Sequence, residues 1–238
     1  MRGFFVCEDR PGLKQISHDP RLVIVVIMVT VAMGALDAVS LTHLKVFTGY
    51  MTATVILIAV HLTSGESVAG PGVVAIAAYL AGAALGGRLV RRSHSRRRTV
   101  ADLLTGVGAL VLVAALIWWQ DAAWRYYATL VVLAIAMGLQ TSATRHAQVT
   151  DLTLPAATML LHGLMHDSRL AGGPAKGAWR RVAAILALFG GAVLGALVSS
   201  VSVPIAIGLV GLLIGTAGGL LYVGDHPLLE RLETLGPL

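Results

Sequence analysis

Charge is scarce in this chain. Of its 238 residues, 13% are Asp, Glu, Lys or Arg, about half the ~25% of an average soluble domain. Disorder is excluded, because it requires high charge and low hydrophobicity, whereas 56% of these residues are hydrophobic. A disulfide scaffold is excluded by the single cysteine, Cys7, which has no partner within the chain. Also lacking are a P-loop, a G-x-S-x-G elbow, an H-E-x-x-H zinc motif and a convincing carboxylate pair, so nothing supports ATP hydrolysis or proteolysis. No cofactor is expected.

What is present is a set of long apolar runs. About 20 such residues cross a bilayer as a helix, and six runs qualify: Leu22–Leu41, Val68–Val90, Ala101–Trp119, Tyr126–Thr144, Val182–Ser200 and Val203–Val223. The first 21 residues carry Glu8, Asp9 and Asp19 with no apolar core before them. They read as a cytoplasmic segment, and the first span as a retained helix. Two further stretches, Val46–Thr63 and Thr150–Asp167, are short, Thr-rich and interrupted by Gly49, Pro155 and Gly163. Each fits either a thin span or a helix that enters the membrane and returns.

Basic residues choose between these topologies, since Lys and Arg collect on the cytoplasmic side. With the N-terminus inside and neither short stretch crossing, sixteen of the eighteen basic residues lie inside, leaving Lys45 and Arg125 outside. Trp118, Trp119, Trp124, Tyr126 and Tyr127 surround one loop on the outer side, where an aromatic belt belongs. The expectation is an all-α integral membrane protein with six transmembrane helices and two short interrupted or re-entrant helices. Its location would be a cytoplasmic membrane, with both termini inside. The Arg88–Arg98 block reads as a stop-transfer anchor that also touches anionic lipid. A nucleic-acid partner is not expected, because the pI of about 10.0 reflects topology and no soluble domain presents the charge.

The order of features repeats. Met33-Gly34 and Met137-Gly138 lie 104 residues apart, each followed by a short Thr-rich stretch ending at His61–Ser64 or His166–Ser168. A span with small residues at every fourth position follows: Ala78, Gly82 and Gly86 in one case, and Ala187, Gly191, Gly195 and Ser199 in the other. That spacing makes one helix face on which backbones approach closely. Three crossings separate equivalent points, so the expectation is two inverted repeats, 22–119 and 120–223, with a cytoplasmic tail at 224–238. Paired interruptions in inverted halves are a pointer to a solute site near the midplane; the alternative is a pair of packed wedges without a ligand.

Gly34, Asp37 and Ala38 form a G-x-x-D-A pattern at the end of the first span, followed by Val46-Phe47 and Met51-Thr52. The second half carries Gly138-Leu139-Gln140, the run Val149–Thr153 and the run Leu164–Ser168 before a Gly-rich helix. In these motifs the chain, from about 20 to 225, resembles the YoaK family of bacterial multi-pass membrane proteins, domain of unknown function 1275. The resemblance implies a membrane fold and no agreed activity. Where the family usually has Gly-Asn after Met-Thr, this chain has Ala53-Thr54, and where it usually has Asn after Gly-Leu-Gln, it has Thr141. Two amides have thus become hydroxyls.

The candidate site residues are Asp37, Thr52, Thr54, Gln140, Thr141, Thr158 and His162. Asp37 is the one acid inside a clear span apart from Asp102 at a helix start. Intramembrane acids serve proton relays, cation sites or substrates; the bland alternative is an aspartate that hydrogen-bonds the neighbouring re-entrant segment. His162 and His166 are four apart, with Asp167 adjacent, yet no Cys or acidic cluster completes a metal set, so ring nitrogens along a proton path are the other reading. The threonines read either as polar lining or as side chains bonded to their own helix backbone. Gln140 is harder to place as filler, because an amide at membrane depth needs partners at both ends.

The leading expectation is a small secondary permease with a midplane polar site near Asp37, acting on a small solute with a coupling proton or cation. A second is a membrane-embedded enzyme on a lipophilic, isoprenoid-like substrate, with a protonated Asp37 as general acid. A third is a non-catalytic membrane interaction protein, with the Gly/Ala faces forming a homo-oligomer. A wet cavity at Asp37 would favour the first, an apolar closed pocket the second.

Overall fold

The computed structural model describes residues 20–64, 69–93, 95–147, 157–173 and 177–222. The terminal segments, most of the run Thr150–Asp167 ahead of its helix, including Pro155, and Lys176 lie outside the described residues.

Among the described residues every element is helical: α1 Pro20–Leu44, α2 Met51–Ser64, α3 Ala69–Arg92, α4 Arg96–Trp119, α5 Arg125–Ala147, α6 Ala157–His166, a single 3-10 turn Arg169–Ala171, α7 Ala178–Val201 and α8 Val203–Tyr222. Six of these helices, all but α2 and α6, are long and apolar enough to cross a membrane. At 1.5 Å rise per residue, α2 reaches about 21 Å and α6 about 15 Å, short of a ~30 Å hydrocarbon core. Five of the six spans run longer than hydropathy alone marks them. α1 continues past Leu41 because the Thr42 hydroxyl donates to the Ala38 carbonyl, and α4 starts within the arginine block.

On α3 and α7 the inward face is made of small side chains and the outward face of large ones. On α3 the buried residues are Pro71, Gly72, Ala75, Ala78, Gly82 and Gly86, while Leu80, Leu85 and Leu89 face outward. On α7 the buried set is Ala184, Gly191, Gly195 and Ser199, with Leu186, Phe189, Leu194 and Leu197 outside. Lipid gives apolar side chains no reason to leave it, so helix association depends on close backbone approach.

The packing partners pair off between the halves. α1 lies on α7 as α5 lies on α3, α1 meets α8 as α5 meets α4, α2 leans on α3 as α6 leans on α7, and α4 packs along α8. The contacts correspond residue by residue. A methyl on Gly34 would collide with the Leu188 carbonyl, and one on Gly138 with the Tyr79 carbonyl. Gly191 sits on the Val31 carbonyl and Gly82 on the Ile135 carbonyl. Gly108 approaches Gly211 and Gly215 as Gly218 approaches Ala101 and Thr105. The four-residue stripes are therefore filled within the chain. Gly34 lies in mid-helix, and α1 and α5 correspond with an offset of 104 residues. The same offset sets Asp37 against Thr141.

Candidate functional site

Between α1 and α2 the chain reverses at Lys45, which adopts φ 59°, in the left-handed region that non-glycine residues seldom enter. The reversal brings the turn after Lys45 back onto α1. There Asp37, 3% exposed, accepts through Oδ1 the backbone N–H groups of Thr48 at 3.1 Å and Gly49 at 2.8 Å. These amides lie just ahead of the N-terminus of α2, where unpaired donors and the positive end of the helix dipole favour an anion. The Thr48 hydroxyl donates to Ser40 Oγ at 3.3 Å, and Ser40 donates to the Asp37 carbonyl at 3.2 Å. Thr54, fully buried, donates to the Phe47 carbonyl at 2.7 Å and accepts the Phe47 N–H at 3.2 Å. Tyr126 on α5 closes the set by donating to the Leu44 carbonyl at 2.7 Å. A polar segment inside a membrane thus has its backbone satisfied by side chains, as low-dielectric burial demands.

One atom in this cluster is left over. Asp37 Oδ2 is buried and, among the described residues, has no hydrogen-bond partner. Gly49 is its nearest constraint: a Cβ there would sit 2.8 Å from Oδ2 and 3.2 Å from Met33 Cε.

At the corresponding place in the second half, Thr141 donates to the Met137 carbonyl at 2.9 Å and accepts the Tyr79 hydroxyl at 3.0 Å. Ser142 Oγ lies 3.2 Å from both the Ala83 and the Gly138 carbonyls. Beside them opens a cavity of about 700 Å³ lined by Tyr79, Ala83, Gly87, Arg91, Ser142, Arg145 and His146 together with Thr141 and Val90. Gln140 is 3% exposed, and among the described residues its Oε1 has no hydrogen-bond partner.

The remaining candidates lie elsewhere. Thr52 and Thr158 are exposed, as is His162, whose ring lies 5.4 Å from that of His166. His162 and His166 line a separate cavity of about 310 Å³ with Asp167 and Arg181. Here Arg181 donates to Asp167 at 2.6 Å and the His166 ring lies 3.0 Å from the same carboxylate. The His166 bond, seconded by Arg181, holds the Asp167 carboxyl below the ordinary carboxylate range. Among the described residues no group of three His, Cys, Asp or Glu could hold a metal ion, and no hydrogen bond joins the Asp37 cluster to Gln140 or Thr141. The candidates fall into three separate groups.

Sequence reasoning passed over Ser40, Gly49 and Tyr79. For Tyr79 a signal exists: between Ala69 and Arg88 it is the one side chain able to hydrogen-bond. For Ser40 it is the i, i+3 spacing from Asp37, which puts both on one helix face.

Six long apolar helices, buried small residues and an outward apolar surface define a polytopic helical membrane protein. The chain belongs to a family of proteins of unknown function (DUF1275), whose profile matches residues 25–220. No curated protein matches the chain significantly, and no solved structure does.

Proposed function

We propose that this protein is a small secondary permease, formed by two halves of opposite orientation in a bacterial cytoplasmic membrane, with Asp37 as the group that couples solute movement to a proton or cation. The single observation carrying this reading is the buried, unpartnered Oδ2 of Asp37 at the break between α1 and α2. A carboxylate oxygen at membrane depth is costly without a partner, and a proton or cation on Oδ2 supplies one. Discontinuous helices whose N-termini meet a charged group are how midplane transport sites are built. Support for the opposite orientation of the halves comes from the paired glycine contacts and from the one-sided distribution of basic residues. Both termini lie in the cytoplasm on this reading, with Trp124 on the far side from Arg96.

Asp37→Asn tests the coupling. The amide oxygen still accepts from Thr48 and Gly49, so the turn is kept while the titrating group is removed. Parent and variant are reconstituted into pyranine-loaded vesicles, and proton movement is followed as small phosphates, carboxylates and polyols are added across a range of pH. The expected result is a pH-dependent response in the parent that is absent in the variant. Identical pH profiles overturn the proposal and leave Asp37 as the fixed anchor of the turn.

A further inference from the structure

The cavity between α3 and α5 has a polarity of its own. Arg91 and Arg145 both line it, together with His146, and no carboxylate does. Elsewhere in the chain, arginines beside a carboxylate are paired with it: Arg181 with Asp167 at 2.6 Å and Arg125 with Asp121 at 3.1 Å. Arg91 and Arg145 have no such partner among the described residues. Arg96 lies close enough to His146 to add to the positive field. Two guanidinium groups on one concave surface repel each other unless an anion lies between them, and their planar forks match phosphate oxygens in pairs.

The deeper lining is of the opposite kind. Tyr79 donates to Thr141, Thr141 to the Met137 carbonyl, and Ser142 to the Ala83 or Gly138 carbonyl. With their protons directed to protein acceptors, these hydroxyls present lone pairs to the cavity, which suit a ligand carrying O–H donors. At about 700 Å³ the space falls within the range that holds a small molecule.

We propose that the α3/α5 cavity binds a phosphate ester of a polyol, the phosphate held by Arg91 and Arg145 and the polyol hydroxyls donating to Tyr79, Thr141 and Ser142. The ester is either the headgroup of a phosphatidylglycerol lipid or a free glycerol phosphate, which share this chemistry. Binding here is independent of the permease reading, since it requires neither Asp37 nor movement of anything across the membrane.

The test is calorimetric titration of the purified full chain, in a neutral detergent, with sn-glycerol 3-phosphate, dihexanoyl phosphatidylglycerol, inorganic phosphate and glycerol. The parent is expected to bind at least one of the two esters more tightly than inorganic phosphate, and glycerol not at all. Binding of the lipid analogue alone identifies the headgroup as the ligand, binding of the free ester alone identifies the solute, and binding of both supports the shared site. Arg91→Gln and Arg145→Gln should each weaken the ester by about tenfold, whereas Arg92→Gln, one residue outside the lining, should leave it unchanged. Thr141→Val should bring the ester down towards inorganic phosphate. Both arginines are exposed, so neither single variant removes a buried support of the fold. Failure of the parent to bind either ester, or ester affinity unchanged in both arginine variants, overturns the proposal. The proton-flux result for Asp37→Asn leaves this outcome unaffected.

Discussion

At position 37 the first half of the molecule carries a carboxylate, and at the corresponding position 141 the second half carries a hydroxyl. The carboxylate cannot be satisfied by its own helix, so it recruits the amides of Thr48 and Gly49 from the turn that follows. Thr141 is satisfied by the Met137 carbonyl one turn back and needs nothing downstream. An aspartate costs ~2.5–3.5 kcal/mol to place at mid-membrane, and that cost is offset only while the turn stays docked. The first half is therefore locked through polar contacts, while the second keeps an open cavity beside the same place in the helix. Two helices alike in their packing glycines differ in the polar group they carry at this place and in what that group bonds.

The widest break in the correspondence comes from the glycines the halves share. Gly191→Leu and Gly82→Leu each drive a side chain into a facing backbone carbonyl, of Val31 and Ile135 respectively. Overpacking costs about 1–3 kcal/mol and more where backbone must move, so both variants should be depleted from the folded, monodisperse fraction in size-exclusion chromatography. Gly190→Ala, next in sequence but with nothing near its Cβ position, should be retained and slightly stabilised, as helical Gly→Ala changes are by about 0.5–1 kcal/mol. Recovery of both leucine variants at parental yield would remove glycine packing as the basis of the fold.

Next in size is the difference between positions 37 and 141. Asp37→Leu leaves the Thr48 and Gly49 amides unpaired in a buried site, at about 3 kcal/mol. Thr141→Val removes one acceptor from Tyr79, which borders the cavity and can turn to water, at about 0.5–1 kcal/mol. Thermal unfolding in one detergent gives both values, and equal losses would mean that the turn in the first half is not held by its carboxylate. Gly49→Ala sharpens the point, because its methyl would press on Oδ2 at 2.8 Å and should destabilise by about 1–3 kcal/mol with Asp37 still in place.

The spans were legible because a run of about 20 apolar residues matches the thickness of a bilayer and little else, and the four-residue glycine spacing was legible because a helix face has a fixed period. The site was legible only where a residue was chemically conspicuous. Asp37 stood out against its apolar helix, but its partners are backbone amides of Thr48 and Gly49, which no side-chain pattern reveals. The reversal that delivers them occurs at Lys45 in a left-handed conformation, where a glycine would have announced it and a lysine does not. Tyr79 escaped notice because its partner is 62 residues away in sequence. Thr52 and Thr158 were chosen as polar residues on apolar stretches and His162 for its four-residue spacing from His166, and helical rotation places all three outward.

The smallest expected effect concerns the end of α6, where the second half does make a charged contact. Asp167 is held by His166 and Arg181, and its carboxyl lies below the ordinary value. A carboxylate depressed on folding stabilises the folded chain above its unfolded pKa of about 3.9, and that contribution is lost as pH falls through the lower, folded value. The midpoint of thermal unfolding should therefore drop more steeply below about pH 4 in the parent than in Asp167→Asn, which has no proton to take up. His166→Gln should make the parent's drop below about pH 4 smaller, because the larger of the two influences holding Asp167 down is gone. Superimposable curves for the parent and Asp167→Asn below about pH 4 would show that the carboxylate of Asp167, with its contacts to His166 and Arg181, adds nothing to the hold on α6.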